Sequence, residues 1–545
     1  MAIQTIKTPF QKMSFTPDIP SGALGPNEYN DGLNVESDVR GIRKILGEQN
    51  ILGQIPGDPI FVSAGFRNQK QYWFIVATVG GNWYGVTESG ITNLTPLATT
   101  YQGTGYDFNT IITASWNGNV LFIMDTINPP MYLLPTDTEI RLYDYSYPDQ
   151  TPNIYVWNYY ALEGWTNVSA GFQRVWSAPN VGSVLIAGNL TYTLGGTTYD
   201  LPNTIRWSQA FGLNSGPTTW APTITNIANE VDAPLRGPVI DGFPLNGNFY
   251  LFSYWDCVIM SPIGYTSTSA PVFGIQLATR GRGMLNENCW AINDAVGFGL
   301  DSSDIWMLNN GQFTEIGNQR IKYWFYDNLN PNYTNQVFMV NNTYRNQIEI
   351  FYPDLTSTGR CNKMLSYRYD LDIWNPPRDV NQAVAGIESP VYDPISGIPN
   401  LANRCIVYAH AINTGTTSTS MLIQKDIGNG FFTDGATTST INSYFHRDNI
   451  NFGEAYSNKV QVHRVLPEVY GTGTFTVQVG GTDSVGSTPI YKTTATMYIN
   501  TSNPWIQTTQ NSQRVTSIIA GSNDNTCTWT LTEANWQVTI VEDSR

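Results

Sequence analysis

The chain has 545 residues, 41% hydrophobic but only 13% charged, and 43 acidic against 28 basic side chains leave a net charge of −15. That length supports a large core and two or three domains, and the apolar share excludes an intrinsically disordered chain. The acidic balance repels phosphates, which excludes a module that grips nucleic acid tightly but not a surface past which DNA slides.

Taken in chain order, the N-terminal stretch MAIQTIKTPFQKMSFTPDIP has no apolar core of the kind a secretory signal needs. No continuous apolar run reaches the roughly 18 residues of a membrane span, so no transmembrane segment is expected. Residues 1–55 lack strand alternation and carry Pro9, Pro17, Pro20 and Pro26. They read as an N-terminal extended arm and docking segment that ends in the compact stretch YNDGLNVESDVRGIRKILGE. Residues 1 to about 28 are the proline-rich part of this arm.

From residue 58 onward, apolar strand clusters arrive at regular intervals. Examples are QYWFIVATVGGNWYGVT (71–87), TIITASWNGNVLFIMDT (110–126), GNFYLFSYWDCVIMS (247–261) and QVFMVNNTYRNQIEIFYP (336–353). Asn117-Gly118 predicts a hairpin turn, because both turn positions need positive φ. Val120 to Met124 is uninterruptedly apolar, as expected of a strand buried on both faces between neighbouring sheets. Asn128-Pro129-Pro130 ends it, since proline cannot extend the ladder. Repeated small antiparallel sheets with such strands predict an all-β fold: a β-propeller of about six blades over residues 56–445. Two β-sandwich domains are the competing arrangement. Short helices are expected only around Asn226–Asp232 and Gln319–Asn328. From residue 446 the texture changes to clean alternation, with Thr474, Thr476 and Gln478 on one face and Phe475, Val477 and Val479 on the other. This predicts a C-terminal β-sandwich or platform domain over 446–545.

Little in the sequence carries chemistry. Cys257, Cys289, Cys361, Cys405 and Cys527 are odd in number and lack metal or disulfide spacing, so buried free thiols are expected. His410, His446 and His463 are too scattered for a metal cluster or a catalytic relay. Asp301-Ser302-Ser303-Asp304 reads as a turn rather than a calcium loop. The aromatic run YVWNYYALEGW (155–165) reads as packing rather than a sugar platform, and RGIRK (40–44) and RGR (280–282) are too small for a nucleic-acid footprint. No catalytic, cofactor-binding or metal-ligating residue is named, no cofactor is expected, and the chain is expected not to be an enzyme.

Several segments, in order, resemble the tail nozzle proteins of short-tailed bacteriophages, also called tail tubular protein B and related to packaged-DNA stabilisation proteins. The resemblance is carried by Tyr29 with Asn34-Val35 and Gly41 to Gly47, and by NGNVLFIMDTINPPMYL. Arg206-Trp207-Ser208 with Thr219-Trp220-Ala221-Pro222, LSYRYDLDIWNPP and KVQVHRVLPEVYGTGTFTVQVGG extend it along the chain. The region QNSQRVTSIIAGSN departs from it, lacking the Gly-Arg that the family often carries near its last strands. The resemblance implies a six-bladed propeller with a platform or sandwich, assembled as a homo-hexameric ring at the end of the virion tail. It further implies docking on a tail adaptor on the portal side, contact with a tail fibre or tailspike, and non-specific passage of double-stranded genomic DNA. Such a protein is made in the bacterial host cytoplasm and resides in the virion. The alternatives are a receptor- or carbohydrate-binding virion protein that contacts the host surface, and a propeller glycosidase or lyase with clustered carboxylates in its funnel.

Overall fold

The computed structural model describes residues 3–68, 71–98, 101–142, 165–220, 222, 226–263, 272–413, 418–432, 438–450, 452, 458–484, 486–492, 494–500, 505–508 and 513–542. The aromatic run at 155–165 falls outside these residues apart from the backbone of its last one. Five consecutive four-stranded antiparallel sheets are paired in chain order and form blades one to five. Blade one spans Pro59–Asn68, Gln71–Thr78, Trp83–Thr87 and Gly90–Asn93. Blade two spans Thr113–Asn117, Val120–Met124, Met131–Leu133 and Arg141–Leu142. Blade three opens with Trp165–Ala178, blade four with Asp241–Leu245 and blade five with Trp290–Asn293.

The next sheet has seven strands and ends on Glu48–Ile55, which precedes blade one in the chain. It contains two blades, because the 20-residue strand Ile373–Tyr392 serves both. Its first half pairs with Cys361–Arg368 as the outer strand of blade six. Its second half, from Ala383, pairs with Pro399–Asn413 and opens blade seven. Packing agrees with this division. Phe351 and Met364 of blade six meet Ile406 and Ile423 of blade seven. Ile51, Val407 and Leu422 of blade seven meet Phe74, Val76 and Val86 of blade one, closing the ring.

The propeller therefore has seven blades rather than the expected number of about six. The sequence obscures the seventh because no turn separates it from the sixth, and because its closing strand comes from the far end of the segment. Within blade two the expected sandwiching of Val120 to Met124 holds, all five side chains being fully buried. Leu121 and Ile123 pack with blade one, and Val120, Phe122 and Met124 with blade three. Alternate side chains of one strand thus cement two different interfaces.

Residues 1–55 do not form an arm. Gln4–Pro9 pairs antiparallel with Thr528–Glu542, and Asp31–Leu33 pairs with Ser443–Ile450. Val35–Ser37 pairs with Ile42–Lys44, which continues the sheet of Thr528–Glu542. The prolines punctuate short strands rather than extending a tail, and Phe10, Met13, Phe15 and Tyr29 are buried. The sandwich is consequently built from both chain ends, and its sheets are the six-stranded pair that contains Asn458–Thr472 and Thr474–Thr482. Phe475, Val477 and Val479 face its core as the alternation predicted. Lys322–Asn328 is helical, as expected near Gln319–Asn328. The other expected helix is instead the outer strand of blade three, Asn229–Asp232, whose polar exposed pattern gave no period to read. Through Ile321, Phe325 and Trp374 the sandwich core runs without a break into blades five and six. No helix among the described residues is long and apolar enough to cross a membrane.

Candidate functional site: the propeller channel

The first strands of blades one, two, three, five, six and seven border a central cavity of about 740 Å³. On these strands alternate side chains turn toward the two neighbouring blades, so the cavity wall is built from strand edges, strand ends and a few polar side chains. Arg174, on the inner strand of blade three, reaches across to blade four. Its Nε donates to Asp241 Oδ1 at 2.9 Å and its Nη2 to Asp241 Oδ2 at 2.5 Å, while Nη1 donates to the Ala114 carbonyl at 2.8 Å. The guanidinium also lies over the Trp290 ring, 5.1 Å from its centroid. Trp290 Nε1 and the Gly242 amide donate to the same carboxylate, each at 2.8 Å. Asp241 is fully buried, and this set of donors is what a buried carboxylate requires.

Glu287 stands beside this pair. Burial raises its carboxyl pKa and the Asp241 charge adds to the rise, bringing it to about 7 against the opposing pull of a backbone amide and Arg174. Glu388, from blade seven, accepts from the Thr343 amide at 2.8 Å and from the Thr343 hydroxyl. Glu287 is therefore a carboxyl able to exchange a proton near neutrality, while its acidic neighbour Asp241 is committed to Arg174 and Trp290. Among the described residues no three His, Cys, Asp or Glu side chains converge as a metal site.

The structure keeps the other sequence candidates apart. His410 is buried in blade seven with Nδ1 against the Asn381 carbonyl. His463 Nε2 lies 2.7 Å from Thr539 Oγ1 in one sandwich sheet. His446, in the other sheet, has Nε2 2.8 Å from Asp448 and 2.6 Å from the Tyr491 hydroxyl. Burial alone would lower the His446 pKa, but Asp31 and Asp448 reverse this and raise it to about 9. All five cysteines are free and buried. Asp301 to Asp304 form a turn, in which Asp301 Oδ1 accepts from the Ser303 and Asp304 amides at 2.6 and 2.9 Å.

That turn belongs to a repeat. In blade two, Asp125 Oδ1 accepts from the Ile127 and Asn128 amides at 3.1 and 2.8 Å. In blade four, Ser253 Oγ accepts from the Trp255 and Asp256 amides, each at 3.1 Å. Each turn joins the second and third strands of its blade. The signal was present as an apolar run, Asp or Ser, two residues, Asn or Asp, and a second apolar run.

A second polar assembly fixes the sandwich to the ring. Glu36 of the sandwich binds Arg345, Arg345 binds Asp426 at 3.2 Å, and Arg378 binds Asp426 at 2.6 Å and Glu48 at 3.5 Å. Tyr408 donates to Glu48 at 2.6 Å, and Lys425 pairs with Glu349. Burial acts to raise the Asp426 pKa, yet Arg345 and Arg378 outweigh it and hold the carboxyl below its ordinary range. Glu48 is pushed up, burial outweighing Arg378.

Fold and channel together define a seven-bladed β-propeller clasped by its own N-terminal strand and joined to a sandwich made from both chain ends. No family model and no curated protein matches the chain. Among solved structures it is similar to the WD40 β-propeller domain of Doa1, at 8% identity and TM-score 0.36 over 70% of this chain and 96% of that one. It is also similar to YCF48 bound to D1 peptide, at 11% identity and TM-score 0.33 over 71% of this chain and 96% of that one. The fold assignment rests on strand order and inter-blade packing, not on likenesses this distant.

Proposed function

We propose that the chain is a structural subunit of a short-tailed bacteriophage tail, a nozzle component that assembles as a homo-hexameric ring and acts without catalysis. The observation that carries this reading is the continuous core and buried ionic seam that weld ring and sandwich into one body, as a load-transmitting part requires. The order of sequence motifs shared with nozzle proteins supports it. The central cavity of the propeller, about 740 Å³, is too small to pass a DNA duplex, so the path for DNA runs between subunits, along the bore of the assembled ring. A net charge of −15 disfavours the sticking of a passing polyanion. The adaptor on the portal side, a tail fibre or tailspike, and passing double-stranded DNA are the partners this role requires.

Negative-stain microscopy of the purified chain and of tails containing it provides the test. Six-fold tapered rings are the expected result. A chain that stays a compact monomer and is missing from purified virions overturns the proposal. A positively charged bore in the assembled ring would remove the sliding argument.

A further inference from the structure

The three side-chain-capped turns of blades two, four and five offer an internal comparison. The first residue supplies the accepting oxygen in all three turns, and in blades four and five its amide also donates to the carbonyl of the last residue, at 2.9 and 3.1 Å. The two middle residues are Thr126-Ile127 in blade two and Ser302-Ser303 in blade five. Blade four alone of the three places two large aromatics there, Tyr254 and Trp255, and they are 43% and 52% exposed. Nothing in the turn's own hydrogen bonding asks for them.

The turn backbone and the Trp255 ring are held in place, and the Tyr254 ring lies against Trp255. The two ring centroids lie 6.0 Å apart. A Cβ on Gly283 would stand 2.3 Å from the Tyr254 carbonyl, so only glycine admits this backbone approach, and the Met284 amide fixes the turn by donating to the Ser253 carbonyl at 3.0 Å. The Trp255 ring rests above Gly237, where an added Cβ would approach to 3.2 Å. Two arginines flank the pair. Arg236 Nε donates to Asp256 Oδ2 at 3.1 Å and its Nη2 to the Arg280 carbonyl at 2.7 Å. Arg280 lies 3.8 Å from the same carboxylate. Asp256 is fully buried, while the two guanidinium-bearing side chains remain 50% and 53% exposed. One buried carboxylate thus holds two outward-facing cations, so Arg236 and Arg280 outnumber Asp256 beside the rings, while the Glu287 carboxyl lies near enough to Tyr254 to act on it, on a chain whose net charge is −15. Arg282, the other arginine of the RGR cluster, is turned away to Glu315 and Asp301.

We infer that Tyr254, Trp255, Arg236 and Arg280 form a preformed docking platform for a carboxylate-bearing segment of a partner protein. Tyr, Trp and Arg are the residues that concentrate binding energy at protein interfaces, and a platform already ordered loses little entropy on binding. The two half-exposed guanidiniums suit carboxylates, which they can engage in pairs of parallel bonds. A protein segment is favoured over nucleic acid because the acidic remainder of the chain opposes an extended polyanion, whereas a short acidic peptide meets only the local positive patch. This inference is independent of ring assembly.

Short fluorescent peptides with Glu or Asp beside Leu or Phe, and their Gln and Asn analogues, test it on the full chain by anisotropy. The intact chain should bind the acidic peptides over the amide analogues, more weakly as salt rises. The double variant Tyr254→Ser/Trp255→Ser, which restores the side chains of the blade-five turn and so preserves the fold, should lose roughly tenfold or more in affinity. Arg280→Met should lose affinity and flatten the salt dependence. Equal binding by the double variant and the intact chain overturns the platform, as does failure of every acidic peptide to bind. Tighter binding of a single-stranded oligonucleotide than of any acidic peptide, lost in the same variant, overturns the choice of a protein partner.

Discussion

His446 is one of three scattered histidines in the sequence and an ionic tie in the fold. Its ring joins Asp31, which arrives from the N-terminal end of the chain, to Asp448 and Tyr491 near the C-terminal end. With its pKa raised to about 9, the imidazole is protonated in the folded state at neutral pH. A histidine raised on folding stabilises fully below its unfolded pKa, near 6.5, and that contribution is lost as pH climbs through about 9. The lost stability is about 3 kcal/mol at most. Denaturant titrations of the intact chain should therefore show stability declining between roughly pH 7 and 9.5, and His446→Gln should flatten that slope. Parallel slopes in the two proteins would refute the tie. Reading the sequence could place His446 at the start of the sandwich but could not supply its partners, because Asp31 lies more than four hundred positions away in the chain.

At the scale of elements, legibility followed burial symmetry. Val120 to Met124 could be read at once, because both faces are buried and the strand becomes a single apolar run. Phe475, Val477 and Val479 were as clear for the opposite reason, one face being buried and the other wet. Ile373–Tyr392 resisted reading because it is continuous in hydrogen bonding yet divided in packing, so no turn residue marks the change of blade. Glu48–Ile55 resisted because its partners come at the end of the propeller segment, some 370 positions along the chain. This closing strand has a measurable consequence. Ile51 and Ile55 are buried against blade one, so they hold together a seam whose strands come from opposite ends of the propeller segment. Ile51→Ala should cost about 2–5 kcal/mol, as large-to-small core changes do. Amide exchange should accelerate first in Glu48–Ile55 and Ser418–Lys425, where ring opening begins. Uniform acceleration through all blades would show that the clasp is not the weak point.

For the whole molecule, the question is whether ring and sandwich behave as one cooperative unit. The apolar core that passes from Trp536 and Phe475 through Trp374 and Phe325 to Phe298 is one continuous cluster of buried side chains. The seam of Glu36, Arg345, Asp426, Arg378 and Glu48 ties the same two bodies together with charge. Calorimetry near neutral pH should accordingly show a single transition, and two well-separated transitions would refute the coupling. Arg378→Met leaves Asp426 with fewer cations and Glu48 buried without its guanidinium, which should destabilise the whole transition by about 3–5 kcal/mol rather than split it. The seam's pH dependence follows from Asp426. Its folded pKa lies below the ordinary value of 3.8, so its contribution is present above that value and lost as pH falls toward the folded one. Glu48 works in the opposite sense, since protonation relieves a carboxylate whose pKa burial has raised. Asp426 is the more strongly held, by two arginines and Lys425 together, so the seam as a whole should weaken below about pH 4. In Arg378→Met that acid-dependent loss should shrink, because part of the depression of Asp426 is already gone. An unchanged acid limb in the variant would place the origin of acid sensitivity elsewhere.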